Sequence, residues 1–225
     1  SAPRTSLDST NAMPVFDDEQ FSPFKSIWLH PRLTVRQIVD RNPELHVVML
    51  VALGGIGQTL DRASMRNLGD RVPTSTILMV AIFLGPLFGL FGLWLGSHFI
   101  RISGEWIGGK ATREHINTAM AWGSVPVVFA LPLWIPQLVL IGGEMFTKET
   151  PTLDAQPGLL VPFLAMVVAE ITLGIWSIFL ICNTVAEVQG YQSAWKGLGN
   201  VLLGGVIIIV PLIVIVIFLV TLSAG

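Results

Sequence analysis

The chain contains one cysteine, one tyrosine and four histidines, and only 12% of its 225 residues are charged. A single cysteine, Cys182, excludes an internal disulfide and any cysteine-rich metal framework. It lies in an apolar run, where it reads as a small buried hydrophobe rather than a reactive thiol. Thirteen Lys and Arg face fifteen Asp and Glu, so no global basic field is offered to nucleic acid. No P-loop, Gly-x-Ser-x-Gly elbow or His-Glu-x-x-His helix occurs, and no serine has a histidine at an informative spacing. The expectation is a protein that is not an enzyme and carries no cofactor. Residues 1–20 lack the basic-then-apolar order of a signal peptide. They read as a polar tail whose start without Met suggests processing or engineering.

What the chain does have is apolar length. Apolar residues make up 52% of it and the mean hydropathy is +0.69, whereas a soluble domain carries about 25% charged residues. Residues 72–100, 115–143 and 197–225 contain no Asp, Glu, Lys or Arg, and residues 155–186 are interrupted only by Glu170. Each run exceeds the roughly 20 apolar residues that cross a bilayer as a helix. Residues 45–60 are a shorter fifth run weakened by Gly54, Gly55 and Gly57. At about 1.5 Å per residue this run either spans with help from its flanks or re-enters. The expected fold is an all-α, polytopic membrane helical bundle of five transmembrane helices with a cytoplasmic interfacial helix. The expected divisions are a polar tail over 1–23, an interfacial segment over 24–43 and the membrane domain over 44–225.

Five spans put Arg4, Lys25, Arg32, Arg36, Arg41, Arg101, Lys110, Arg113 and Lys196 on one side, and Arg62, Arg66, Arg71 and Lys148 on the other. The positive-inside rule then places the N-terminus in the cytoplasm and the C-terminus outside. In the interfacial segment, Thr34 is expected to N-cap a helix running to about Arg41, with Trp28 as an anchor at headgroup level. Residues 101–113, with Trp106, read as a second interfacial segment. Pro126, Pro132 and Pro136 predict that the third span is broken or bent. Gly85/Gly89, Gly92/Gly96 and Gly204/Gly205 offer close-packing faces, within one chain or between chains.

Glu170 is the main anomaly, because a charged carboxylate near the middle of a span costs at least about 2.5–3.5 kcal/mol. Ser177 and Thr184 follow it at seven-residue steps, giving a polar stripe on one helical face. The stripe reads either as a proton, cation or lipid-headgroup site or as hydrogen-bonding glue between helices. A second polar group gathers at the cytoplasmic ends of the spans: His98, Arg101, Glu105, Glu114, His115, Asn183 and Glu187. His98, His115 and Glu187 could contribute to a divalent metal site, although no dense ligand signature accompanies them; an ordinary interfacial charge network is the other reading.

Three stretches, in this order, resemble the Yip1 family of small membrane proteins in its shorter bacterial form. They are residues 30–38 (HPRLTVRQI) ahead of a Gly-rich first span, residues 106–112 (WIGGKAT) leading to Trp122 and Pro126, and residues 187–197 (EVQGYQSAWKG) before the last span. The resemblance covers residue 24 to the C-terminus. It implies five spans, a cytoplasmic N-terminus and, for a bacterial member, residence in the inner membrane. Eukaryotic relatives contact Rab-type GTPases through a long cytoplasmic domain with an Asp-Leu-Tyr-Gly-Pro motif, which has no counterpart here. Two functions follow as expectations. One is a non-enzymatic scaffold that organises membrane lipids or partner membrane proteins. The other is a transporter of a small solute, ion or lipid using Glu170.

Overall fold

A computed structural model describes residues 22–223, and most of the tail expected over 1–23 lies outside the described residues. Among the described residues there is no strand. A one-turn helix α1 (Pro23–Ser26) and α2 (Pro31–Arg41) precede α3 (Val47–Met65) and α4 (Thr74–Trp106). The third apolar run is divided into α5 (Arg113–Gly123), α6 (Val125–Ala130) and α7 (Trp134–Ile141), with a break at Ser124 and a 3₁₀ turn over Leu131–Leu133, as its prolines predict. A short α8 (Pro151–Ala155) leads to α9 (Leu160–Val188) and α10 (Ala194–Ser223). Four stretches are long and apolar enough to cross a membrane: Thr74–Trp106, Arg113–Phe146, Pro157–Val188 and Ala194–Thr221.

Glycine decides how α3 meets α4. A Cβ on Gly55 would sit 2.1 Å from the Gly85 carbonyl oxygen, and one on Gly89 would sit 2.4 Å from that of Val51. The two backbones therefore touch directly, the close approach that small residues permit. Gly85 and Gly89 are thus used within the chain, whereas a Cβ on Gly92 or Gly96 would meet nothing. The same device joins α9 to α10, where a Cβ on Gly197 would lie 2.1 Å from the Cys182 carbonyl oxygen. Cys182 is buried there, as a small hydrophobe should be. Gly204 packs on Ile100, while Gly205 faces open space.

The core has three parts. Ile27, Ile38, Leu50, Trp122 and Leu180 form one, with Phe24 and Trp28 against it. Val35, Ile100, Ile116, Ala119 and Val185 form a second at the α2 end. At the opposite end Leu60, Ile77, Trp134, Ile141 and Phe146 form the third, where the Trp134 and Phe146 rings stack 5.8 Å apart. Residues 209–220 of α10, by contrast, are exposed throughout.

Two local expectations are corrected. Thr34 does not cap α2, which starts three residues earlier at Pro31. Proline fixes a helical φ and needs no N–H partner in the first turn. The Thr34 hydroxyl instead lies 2.8 Å from the His30 carbonyl, to which it donates, and 3.0 Å from Ser26 Oγ, joining α1 to α2. Residues 101–106 of the segment expected over 101–113 are the last turns of α4 rather than a separate element. Charge ends an apolar run without ending a helix, and the Arg101–Glu105 pair at i, i+4 supports continuation.

Candidate functional site

The stripe formed by Glu170, Ser177 and Thr184 runs along one face of α9 and meets the broken third span at every step. Gln137 on α7 donates through Nε2 to Glu170 Oε1 at 2.8 Å. Ser177 donates to the Gly123 carbonyl at 2.9 Å, and Thr184 to the Ala119 carbonyl at 2.8 Å. Gly123 lets the helices close there, since a Cβ would lie 2.9 Å from Ile181 Cα. The partner of Glu170 is thus an amide that is itself 1% exposed. Its sequence signal was a lone amide in the otherwise apolar 125–143 stretch.

The polar residues at the α2 end do not form one cluster. Glu187 pairs with Arg36 of α2, whose Nε reaches Oε1 at 2.6 Å. Asn183 Oδ1 accepts from Arg32 Nε at 3.2 Å. Arg101 and Glu105 pair with each other on the exposed side of α4 at 2.6 Å. His98 is exposed beside Phe99, and Glu114 is exposed on α5. His115 donates its backbone N–H to Thr112 Oγ1, the cap of α5. No three His, Cys, Asp or Glu side chains converge among the described residues, so His98, His115 and Glu187 are not brought together as a ligand set.

A denser polar node lies between these groups, built from residues that hydropathy does not single out. Gln189 Oε1 accepts from the Ala111 N–H at 3.1 Å, and its Nε2 donates to Asn200 Oδ1 at 2.8 Å. Asn200 Nδ2 donates to the Ile100 carbonyl at 2.8 Å and to Ser103 Oγ at 2.7 Å. Ser103 returns a bond to the Asn200 carbonyl at 3.1 Å. Gln189, Asn200 and Ser103 are all buried, so each bond satisfies a group that would be costly to leave bare. The Tyr191 hydroxyl donates to the Gly104 carbonyl at 3.2 Å, and burial pushes its phenol above the ordinary tyrosine range. A Cβ on Gly104 or Gly109 would fall 2.1 or 2.2 Å from the Gln189 amide, so a side chain at either position would push that amide out of the node.

This node is where the three sequence stretches meet. Residues 106–112 supply Gly109 and Ala111, and residues 187–197 supply Gln189 and Tyr191. Residues 30–38 supply Arg32, whose Nη1 donates to the Tyr191 carbonyl at 3.2 Å. Of the two tryptophans expected as anchors, Trp106 is 66% exposed, whereas Trp28 packs edge-on to Phe129 at 5.7 Å.

A cleft of about 410 Å³ opens between α3, α4, α5, α6 and α9. Gln58, Arg62, Ser124 and Ser177 are among its lining residues, and Glu170 is not. Compared with known families, the chain matches the Yip1 domain over residues 25–223, nearly its whole length. No curated protein and no solved structure matches it.

Proposed function

Because this chain belongs to the Yip1 family, we propose that it is a non-enzymatic integral membrane protein that organises lipids or partner membrane proteins. The observation that carries this reading is the use of the stripe: Glu170, Ser177 and Thr184 each hydrogen-bond the neighbouring span. Polar groups committed to helix pairing serve packing rather than turnover. On this reading α3 is the fifth span. Its 19 residues reach about 28 Å at 1.5 Å per residue, and its glycine contact with α4 keeps it beside a helix that crosses. Exposed Trp106 anchors the protein at the headgroups. The N-terminus is cytoplasmic and the C-terminus extracytoplasmic, in a bacterial inner membrane.

Trp106→Ala tests the reading. It is expected to lower co-purified phospholipid or cross-linked partner at least threefold while helix content stays unchanged. A folded variant that keeps every lipid and partner of the parent would contradict the scaffold assignment. The transport alternative finds its support in the cleft. Glu170 lies outside that cleft and is engaged by Gln137, which favours the scaffold.

A further inference from the structure

Resting on the lipid-organising reading above, we propose that a groove beside the N-terminus of α5 binds one phospholipid with a phosphoethanolamine headgroup. The groove holds about 630 Å³ between the start of α3, the middle of α4 and the first turns of α5. Its lining combines the polar side chains of Arg113, Asn117, Glu44 and Glu114 with the apolar walls of Val47, Leu90, Leu93 and Trp94. An amphiphile with a small head matches that mixture, and a pocket of this size is ordinary for a ligand site.

Two of the lining residues carry atoms left over by the fold. Arg113 Nε and Asn117 Oδ1 are buried without a hydrogen-bond partner. Neither atom is itself exposed to the groove, and a small shift of the two side chains would let a bound polar group satisfy them. The Arg113 guanidinium is held against Trp94. It lies 5.4 Å from the centroid of the Trp94 ring, and its Nη2 reaches the Trp94 carbonyl at 3.5 Å. Among the described residues neither Glu44 nor Glu114 lies within ion-pair distance of Arg113. Its charge is therefore available to a phosphate.

The carboxylates select the rest of the headgroup. A phosphate on Arg113 also faces two acidic side chains, so a headgroup bearing only negative charge is repelled. An ammonium two carbons from the phosphate offers N–H donors to Glu44 and Glu114 and offsets one of their two negative charges. Trimethylammonium carries the charge without the donors, and a glycerol headgroup has no cation. Trp94 is 52% exposed, so the groove opens on the side of the bundle and the acyl chains can leave along α4 into the bilayer.

The test is native mass spectrometry of the full chain in detergent with equimolar phosphatidylethanolamine, phosphatidylcholine and phosphatidylglycerol of matched acyl chains. The parent is expected to retain one phosphatidylethanolamine at least tenfold over either competitor. Arg113→Ala lowers that retention about tenfold. Glu44→Gln with Glu114→Gln, both at exposed positions, brings phosphatidylglycerol to within twofold of phosphatidylethanolamine. Equal retention of the three lipids by the parent, or unchanged selectivity in the double variant, overturns the groove assignment and leaves the lipid-organising reading in place. A parent that retains no phospholipid of any kind overturns both.

Discussion

Gly55→Ala is expected to destabilise the protein by about 3 kcal/mol or more, and Gly55→Val to prevent the folded bundle from accumulating. Overfilling an ordinary core costs about 1–3 kcal/mol because neighbouring side chains shift. Here nothing can rotate away. The new Cβ would meet the Gly85 carbonyl oxygen at 2.1 Å and Gly89 Cα at 3.0 Å, both backbone atoms of α4. Separating the helices would also break the reciprocal approaches of Gly85 to Ile56 and Gly89 to Val51. Gly92→Ala is the control, since a Cβ there meets nothing. It should be neutral or stabilising by up to about 1 kcal/mol through helix propensity. Thermal unfolding of the detergent-solubilised variants, read by helix content and size-exclusion profile, checks both. A Gly55→Ala protein as stable as the parent would refute the backbone contact.

Asn200→Leu should cost about 2–5 kcal/mol. It keeps the branched shape but removes two donated bonds and one accepted bond from a buried node. Each buried group left bare costs about 1–3 kcal/mol. Gln189→Leu breaks the same network from the other side and should cost a comparable amount. The double variant is the sharper measurement, because removing both partners leaves fewer orphaned groups than the two single losses combined. It should be less damaging than the sum of the single changes by about 1–3 kcal/mol. Additive losses would mean that the two amides act independently. Gln189 receives the Ala111 N–H from the loop after α4, so the node also fixes how that loop enters α5.

The apolar runs made four spans legible, because a membrane helix has to be long and poor in charge whatever its neighbours are. Pro126 and Pro132 likewise marked the breaks between α5, α6 and α7, since a proline's missing donor acts locally, while Pro136 falls in the first turn of α7. The seven-residue spacing of Glu170, Ser177 and Thr184 placed them on one face, and one neighbouring span receives all three. What periodicity could not supply was the register between helices. Gln137 lies 33 residues before Glu170, and nothing along the chain pairs them. The polar node was hidden for the same reason. Asn200 and Ser103 are 97 residues apart and look like isolated polar positions until α10 crosses α4. Glu187 and Asn183 were read with the α4 end, but α2 intervenes and its Arg36 and Arg32 take them. The three resemblance stretches pointed towards this region without showing that they touch.

The central claim is that the intramembrane polar stripe joins helices and moves nothing across the membrane. Glu170→Gln tests it most directly, since the amide keeps an oxygen able to accept the Gln137 Nε2–H bond and loses the capacity to carry charge. Parent and variant would be reconstituted in sealed proteoliposomes, with thermal midpoints measured alongside proton and solute flux over a broad panel. The account predicts midpoints that agree within a few degrees and no flux above protein-free vesicles from either protein. Flux in the parent that disappears in an equally stable Glu170→Gln protein would contradict the account and make Glu170 part of a transport path.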